Sequence, residues 1–130
     1  DTYLGISEAK LAVGFAQRAI HLRTEHLGPT HRDTLLSRDS LGIAYLQSSE
    51  LKKAIEEFEE IQEIQKRVLG EDDADTLQTM NNLAQSYLPT RNLPKSIKMF
   101  EKLNEVLTTR HGEDHEKTLA VRANLSIAYL

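Results

Sequence analysis

The chain has 130 residues, with 16 Lys+Arg against 20 Asp+Glu and a formal net charge of -4, a length that suits one domain with a buried core. At 28% charged and 39% hydrophobic it is neither a disordered tail nor a membrane-embedded chain, and no membrane insertion is expected. The lack of cysteine excludes a disulfide framework, a thiolate metal site and a cysteine nucleophile, and the acidic balance argues against nucleic acid, whose binders need a phosphate-neutralising excess.

Asp1-Thr2-Tyr3 is not the basic start of a targeting peptide, and without an initiator Met the chain reads as a fragment of a longer array. A first helix is predicted at about 7–27, carrying Ala12 and closed by Gly28. A second runs over about 33–47, with Leu35, Leu41, Gly42, Ala44 and Tyr45 as its apolar or small positions. A third covers about 51–69, where Leu51, Ala54, Ile55, Phe58, Ile61, Ile64 and Val68 recur at helical spacing. Its interior is rich in the strong helix formers Glu, Lys, Gln and Leu. Gly70 closes it, since only Gly enters the left-handed cap cheaply. Further helices follow at about 75–88, 94–110 and 116–130, with Pro94 placed where a helix can start. Asp33 and Asp75, or the residue just before each, are expected to cap their helices.

Charge is uneven along this series. Residues 1–50 carry 5 basic and 6 acidic groups, residues 51–90 carry 4 and 9, and residues 91–130 carry 7 and 5. The acidic middle, Glu56-Glu57, Glu59-Glu60, Glu63 and Glu71-Asp72-Asp73, reads as a solvated helix face and loop.

An ungapped internal repeat of 42 residues organises the whole chain. Gly28, Gly70 and Gly112 keep this interval, as do Thr34, Thr76 and Thr118, and Leu41, Leu83 and Leu125. All four tyrosines, Tyr3, Tyr45, Tyr87 and Tyr129, obey it, and each precedes a leucine: Leu4, Leu46, Leu88 and Leu130. Phe58 pairs with Phe100, and Ala12, Ala54 and Ser96 mark a recurring small position. The units fall at about 1–28, 29–70, 71–112 and 113–130, in one domain spanning 1–130. Neither helix of a unit can bury its apolar face alone, so stacked helix pairs must share a core. Gly42, Ala84 and Ser126 allow the two helices of a pair to approach closely. Leu83, Tyr87, Ala54, Phe58 and Phe100 are the expected core.

The order Leu41-Gly42, Tyr45, Ala54, Phe58, repeated as Leu83-Ala84, Tyr87, Ser96, Phe100, resembles the tetratricopeptide repeat. The 42-residue period, the linkers such as Leu69-Gly70-Glu71-Asp72-Asp73-Ala74-Asp75-Thr76-Leu77, and Asn81-Asn82-Leu83-Ala84 are similar to the kinesin-light-chain subgroup. The resemblance implies an all-α, right-handed superhelical solenoid of antiparallel helix pairs. It implies a cytoplasmic protein–protein interaction module, in a motor adaptor or a signalling protein, that binds a peptide or partner segment in a concave groove. The alternative is a structural or self-association array with no peptide ligand. Gln47-Ser48-Ser49-Glu50 and Pro89-Thr90-Arg91-Asn92 lack the glycine usual in the family's intra-pair turn, so longer or less regular turns are expected there.

No enzyme is expected. His111 and His115 are four apart but flank Gly112, and no third ligand is fixed. His31 and His115 share a repeat position with Asp73, which makes them linker or cap residues. No phosphate loop or Ser-His-Asp arrangement stands out, so neither cofactor nor metal is expected. In the resembled fold the first helix of each pair lines the groove, and the helical period then selects Leu36, Asp39, Ser40, Ile43 and Gln47, next Gln78, Asn81, Asn82 and Gln85, and last Ala120, Ala123, Asn124 and Ile127. The amides both donate and accept, which suits the backbone of an extended peptide. Arg38 and Arg122 border this face and are expected to hold a carboxylate. Self-association is expected through helix 7–27, by Leu11, Phe15 and Ala19, and through helix 116–130, by Leu125, Ala128 and Tyr129.

Overall fold

The computed structural model describes residues 2–112 and 115–129. It has six helices in the order α1 (Thr2–Leu27), α2 (Arg32–Gln47), α3 (Leu51–Val68), α4 (Ala74–Tyr87), α5 (Leu93–His111) and α6 (Glu116–Tyr129), with no strand among the described residues. Asp1, the linker residues Glu113 and Asp114, Leu130, and the side chains of Thr2, Tyr3, Leu4, Ile6, His111 and Lys117 lie outside what is described, so the His111–His115 pairing does too. Five helices match their expected bounds to within a residue or two. The exception is α1, which starts at Thr2 and runs straight through residues 5–8, the register of the Gln47–Glu50 turn. Gly5 and Ser7 are weak helix formers, yet neither stops a helix.

Each linker ends one helix and starts another by local hydrogen bonds. Gly28, Gly70 and Gly112 have φ of 93°, 96° and 86°, the left-handed region that favours glycine. Thr34 Oγ1 reaches back to the Gly28 carbonyl at 2.8 Å, fastening the linker to the next helix. The capping side chains lie two residues before Asp33 and Asp75, not at them or one before. His31 Nδ1 accepts from the Asp33 amide at 3.1 Å, and Asp73 Oδ1 accepts from the Asp75 amide at 2.9 Å. This offset is ordinary N-cap geometry, in which the cap side chain reaches the second or third amide of the helix.

The turns inside the pairs are regular, against expectation. Ser49 and Arg91, 42 residues apart, take φ of 65° and 64°. The amides of Glu50 and Asn92 donate to the carbonyls of Tyr45 and Tyr87 at 2.9 and 3.2 Å. One turn geometry is therefore used twice without its glycine.

The chain divides into two compact units, one up to Thr79 and one from Met80 onward. In the first, α2 packs against both α1 and α3. Arg23 Nη1 ties α1 to α2 through the Asp33 carbonyl at 2.9 Å and Ser37 Oγ at 2.7 Å. The α2–α3 contact is close at Gly42, where an added Cβ would stand 2.6 Å from the Phe58 ring. Ala54, Phe58 and Ile61 are fully buried there. The short turn and the approach of Gly42 to Phe58, with Arg38 further back meeting Glu60 further on, make the pair antiparallel. Within the second unit, Leu83, Tyr87, Phe100 and Leu103 are buried, and Ser96 Oγ donates to the Ala84 carbonyl at 2.9 Å. α5 packs against α6 there. At about 1.5–3 kcal/mol for each fully buried large side chain, these clusters supply the main drive for pairing helices that have no core of their own.

Candidate partner-binding face

On α2 the buried residues are Thr34, Leu35, Ser37, Asp39, Leu41, Gly42 and Ala44. Beyond its first turn, the residues left exposed, Leu36, Ser40, Ile43 and Gln47, recur at helical spacing and form one stripe. Leu36 is 41% and Ile43 38% exposed. Two repeat positions are exposed in all three first helices: Leu36, Gln78 and Ala120, and Ile43, Gln85 and Ile127.

The neighbouring positions behave differently. Ser40 is exposed, but Asn82, its equivalent, is buried and Asn124 is half-buried. Asp39 is buried, Asn81 is half-buried and Ala123 is exposed. Asp39 Oδ1 accepts from Thr79 Oγ1 at 3.2 Å, so this carboxylate joins α2 to the start of α4. Asp39 and Asn82 thus belong to the packed side of their helices.

The two arginines are turned to second helices, Arg38 to that of its own pair and Arg122 to that of the preceding pair. Arg38 Nε and Nη2 donate to Glu57 Oε1 and Glu60 Oε2, each at 2.6 Å. Burial pushes the Arg38 pKa down, but the Glu57 hydrogen bond and charge, followed by those of Glu60, hold it above its ordinary value. The guanidinium therefore stays charged and already has its carboxylates. Arg122 Nε donates to Asn104 Oδ1 on α5 at 3.0 Å. The expectation that these two side chains stand ready for a partner's carboxylate is corrected at Arg38. The helical period placed its Cα beside the face, and the long side chain bends the other way, to the Glu57/Glu60 pair.

At the linkers, Arg32 bridges Asp73 at 3.0 Å and Asp75 at 2.7 Å. The hydrogen bond to Asp73 is the main cause of its raised pKa. Among the described residues no group of three or more His, Cys, Asp or Glu is disposed to hold a metal ion, and no helix is long and apolar enough to cross a membrane. At the α1 and α6 faces, Leu11, Phe15 and Tyr129 are exposed and Ala19 and Leu125 half-buried, whereas Ala128 is 2% exposed. Ala128 is thus removed from the expected exposed set, being on the side of α6 that α5 covers.

The tetratricopeptide repeat family model matches residues 49–103, from the first intra-pair turn into α5. No curated protein is significantly similar in sequence. The crystal structure of nearly identical tetratricopeptide-like repeats in a kinesin-light-chain-type protein of Podosopora anserina superposes with a TM-score of 0.88 at 21% identity, over 95% of this chain and 58% of that one. Its Q17M variant gives 0.87 at 21% identity over the same shares. BtubC (BKLC) of P. vanneervenii gives 0.64 at 18% identity, over 99% of this chain and 66% of that one. The chain thus spans less than two thirds of these proteins. With the 42-residue period, the helix pairs and these likenesses together, the chain has an all-α tetratricopeptide-repeat fold, similar to the kinesin-light-chain-like arrays.

Proposed function

We propose that the chain is a protein–protein interaction module without catalytic activity or nucleic-acid partner, and that the stripe on α2 takes an extended peptide or partner segment. A tetratricopeptide array is a protein-interaction scaffold. The observation that carries the finer reading is the exposed Leu36–Ser40–Ile43 stripe, two apolar side chains separated by a hydroxyl on an otherwise well-packed helix. The ligand that fits is an uncharged segment with apolar anchors spaced to meet Leu36 and Ile43, since Arg38 is already neutralised by Glu57 and Glu60. The parent is a motor adaptor or a signalling regulator of the cytoplasm, a reading supported by the kinesin-light-chain-like neighbours. Panning the chain against a random peptide library tests this. Peptides rich in uncharged apolar residues should be enriched, and Ile43→Asp should weaken their binding at least tenfold without changing the melting temperature. Enriched peptides indifferent to Ile43→Asp would overturn the assignment to α2. A second reading, self-association, is favoured by the exposed apolar side chains of α1 and α6.

A further inference from the structure

We propose that the turn between α4 and α5, with the outer face of α5, holds an acidic segment of a partner protein through Arg91, Lys95 and Lys98. The site shares no residue with the stripe on α2. Its evidence is a comparison between the two intra-pair turns. In the first, Lys53 Nζ stands 5.7 Å from the centre of the Tyr45 ring and 3.2 Å from Glu50 Oε1. That ammonium has both an aromatic face and a carboxylate. In the second, Lys95 Nζ stands 5.3 Å from the centre of the Tyr87 ring, so the lysine and the tyrosine meet again in the same way. The carboxylate is missing. Asn92 occupies the register of Glu50, Arg91 that of Ser49, and Lys98 that of Glu56.

Arg91, Lys95 and Lys98 are all exposed. Among the described residues none of the three takes part in an ion pair. The second turn therefore keeps the lysine that the first turn satisfies internally, removes its carboxylate, and adds cations where the first has a serine and a glutamate.

The ligand chemistry follows from these groups. Arginine and lysine bind carboxylates by charge-assisted hydrogen bonds, arginine with two donors at once. One exposed ion pair adds little, so the ligand must bring several acids. Lys95 and Lys98 are neighbours on one helix face, about 4.5 Å apart along its axis, and Arg91 precedes them by four residues. Aspartates or glutamates close together in a partner chain match that spacing. A nucleic acid fits less well. Tyr87 is 5% exposed, so its ring is not open to a stacked base. Beyond Lys98 the exposed residues Glu101, Lys102 and Glu105 alternate in sign, which leaves the positive run too short to neutralise a phosphate backbone.

Titration of the nitrogen-15-labelled 130-residue chain with an octaglutamate peptide at physiological salt tests the proposal, with octaglutamine as control. The amide signals of residues 90–98 should move with octaglutamate alone. Asn92→Glu supplies the carboxylate that Glu50 supplies in the first turn, and should weaken binding at least fivefold. The converse exchange, Ser49→Arg with Glu50→Asn and Glu56→Lys, should create a second site, seen as new shifts over residues 48–56. That result is a gain and cannot arise from misfolding. Octaglutamate binding indifferent to Asn92→Glu would overturn the site. So would shifts at Lys52, Lys53 and Lys66 as large as those at Lys95 and Lys98, or no shift at all. Tighter binding of an oligothymidylate than of octaglutamate would overturn the choice of a polypeptide.

Discussion

Ser49 and Arg91 sit in a backbone region that costs an L-residue about 1–2 kcal/mol, and they are held there by the turn amides of Glu50 and Asn92. Each site is one substitution away from the residue its conformation favours. Ser49→Gly and Arg91→Gly should each stabilise the chain by about 0.5–1 kcal/mol, the gain being reduced by the freedom glycine adds to the unfolded chain. Urea unfolding would show this as a higher midpoint at unchanged slope, and a lower midpoint would contradict the strain assigned to the turn. The missing glycines were visible in the sequence, but their consequence was not. The antiparallel pairing of flanking helices, stapled at Gly42–Phe58 in one case and Ser96–Ala84 in the other, sets the turn, and local preference yields to it.

Between elements, the most specific tie is Arg38, which clamps α2 to α3 through two carboxylates. Arg38→Ala would leave Glu57 half-buried without its partner, and should cost about 1–3 kcal/mol. Arg38→Lys should recover only part of this, because an ammonium cannot span both acids. Thermal melts of the two variants would check it, and equal melting of Arg38→Ala and wild type would show that the clamp contributes nothing. The exposed Arg32 bridge to Asp73 and Asp75 should matter little and be screened by salt. Helix bounds, capping glycines and the Ala54–Phe58 core were legible because they depend on periodicity and on backbone conformation. The direction of Arg38 was not, since a helical period gives the azimuth of a Cα but not the bend of a long side chain. Its signal was present all the same, in a Glu57-x-x-Glu60 pair on the facing helix. Asn82 departs from expectation for a different reason: adjacent positions around a helix differ by about 100°, and one of them can cross from solvent to core.

Across the whole molecule, the repeat lets one position be compared in several surroundings. Tyr87 is 5% exposed, but Tyr129, at the same register, is 63% exposed and is held by its hydroxyl to Glu101. That hydrogen bond is the main cause of the raised Tyr129 pKa. Leu35 and Leu77 are buried and Leu119 is exposed. Local stability follows buried apolar contact, so amide exchange should be slowest in α3 and at least tenfold faster in α6. Uniform protection of α3 and α6 would show that the chain opens only as a whole. The ties between helices also stay close along the sequence: Arg23 to Ser37 spans 14 residues, Arg38 to Glu57 spans 19, and Arg32 to Asp75 spans 43. Chains whose partners lie so near each other fold quickly, in microseconds to milliseconds, whereas a ribosome adds about 5–20 residues each second. A helix pair is therefore complete within seconds of its last residue emerging. Each later helix is delivered onto a surface already formed, and the order of synthesis becomes the order of folding.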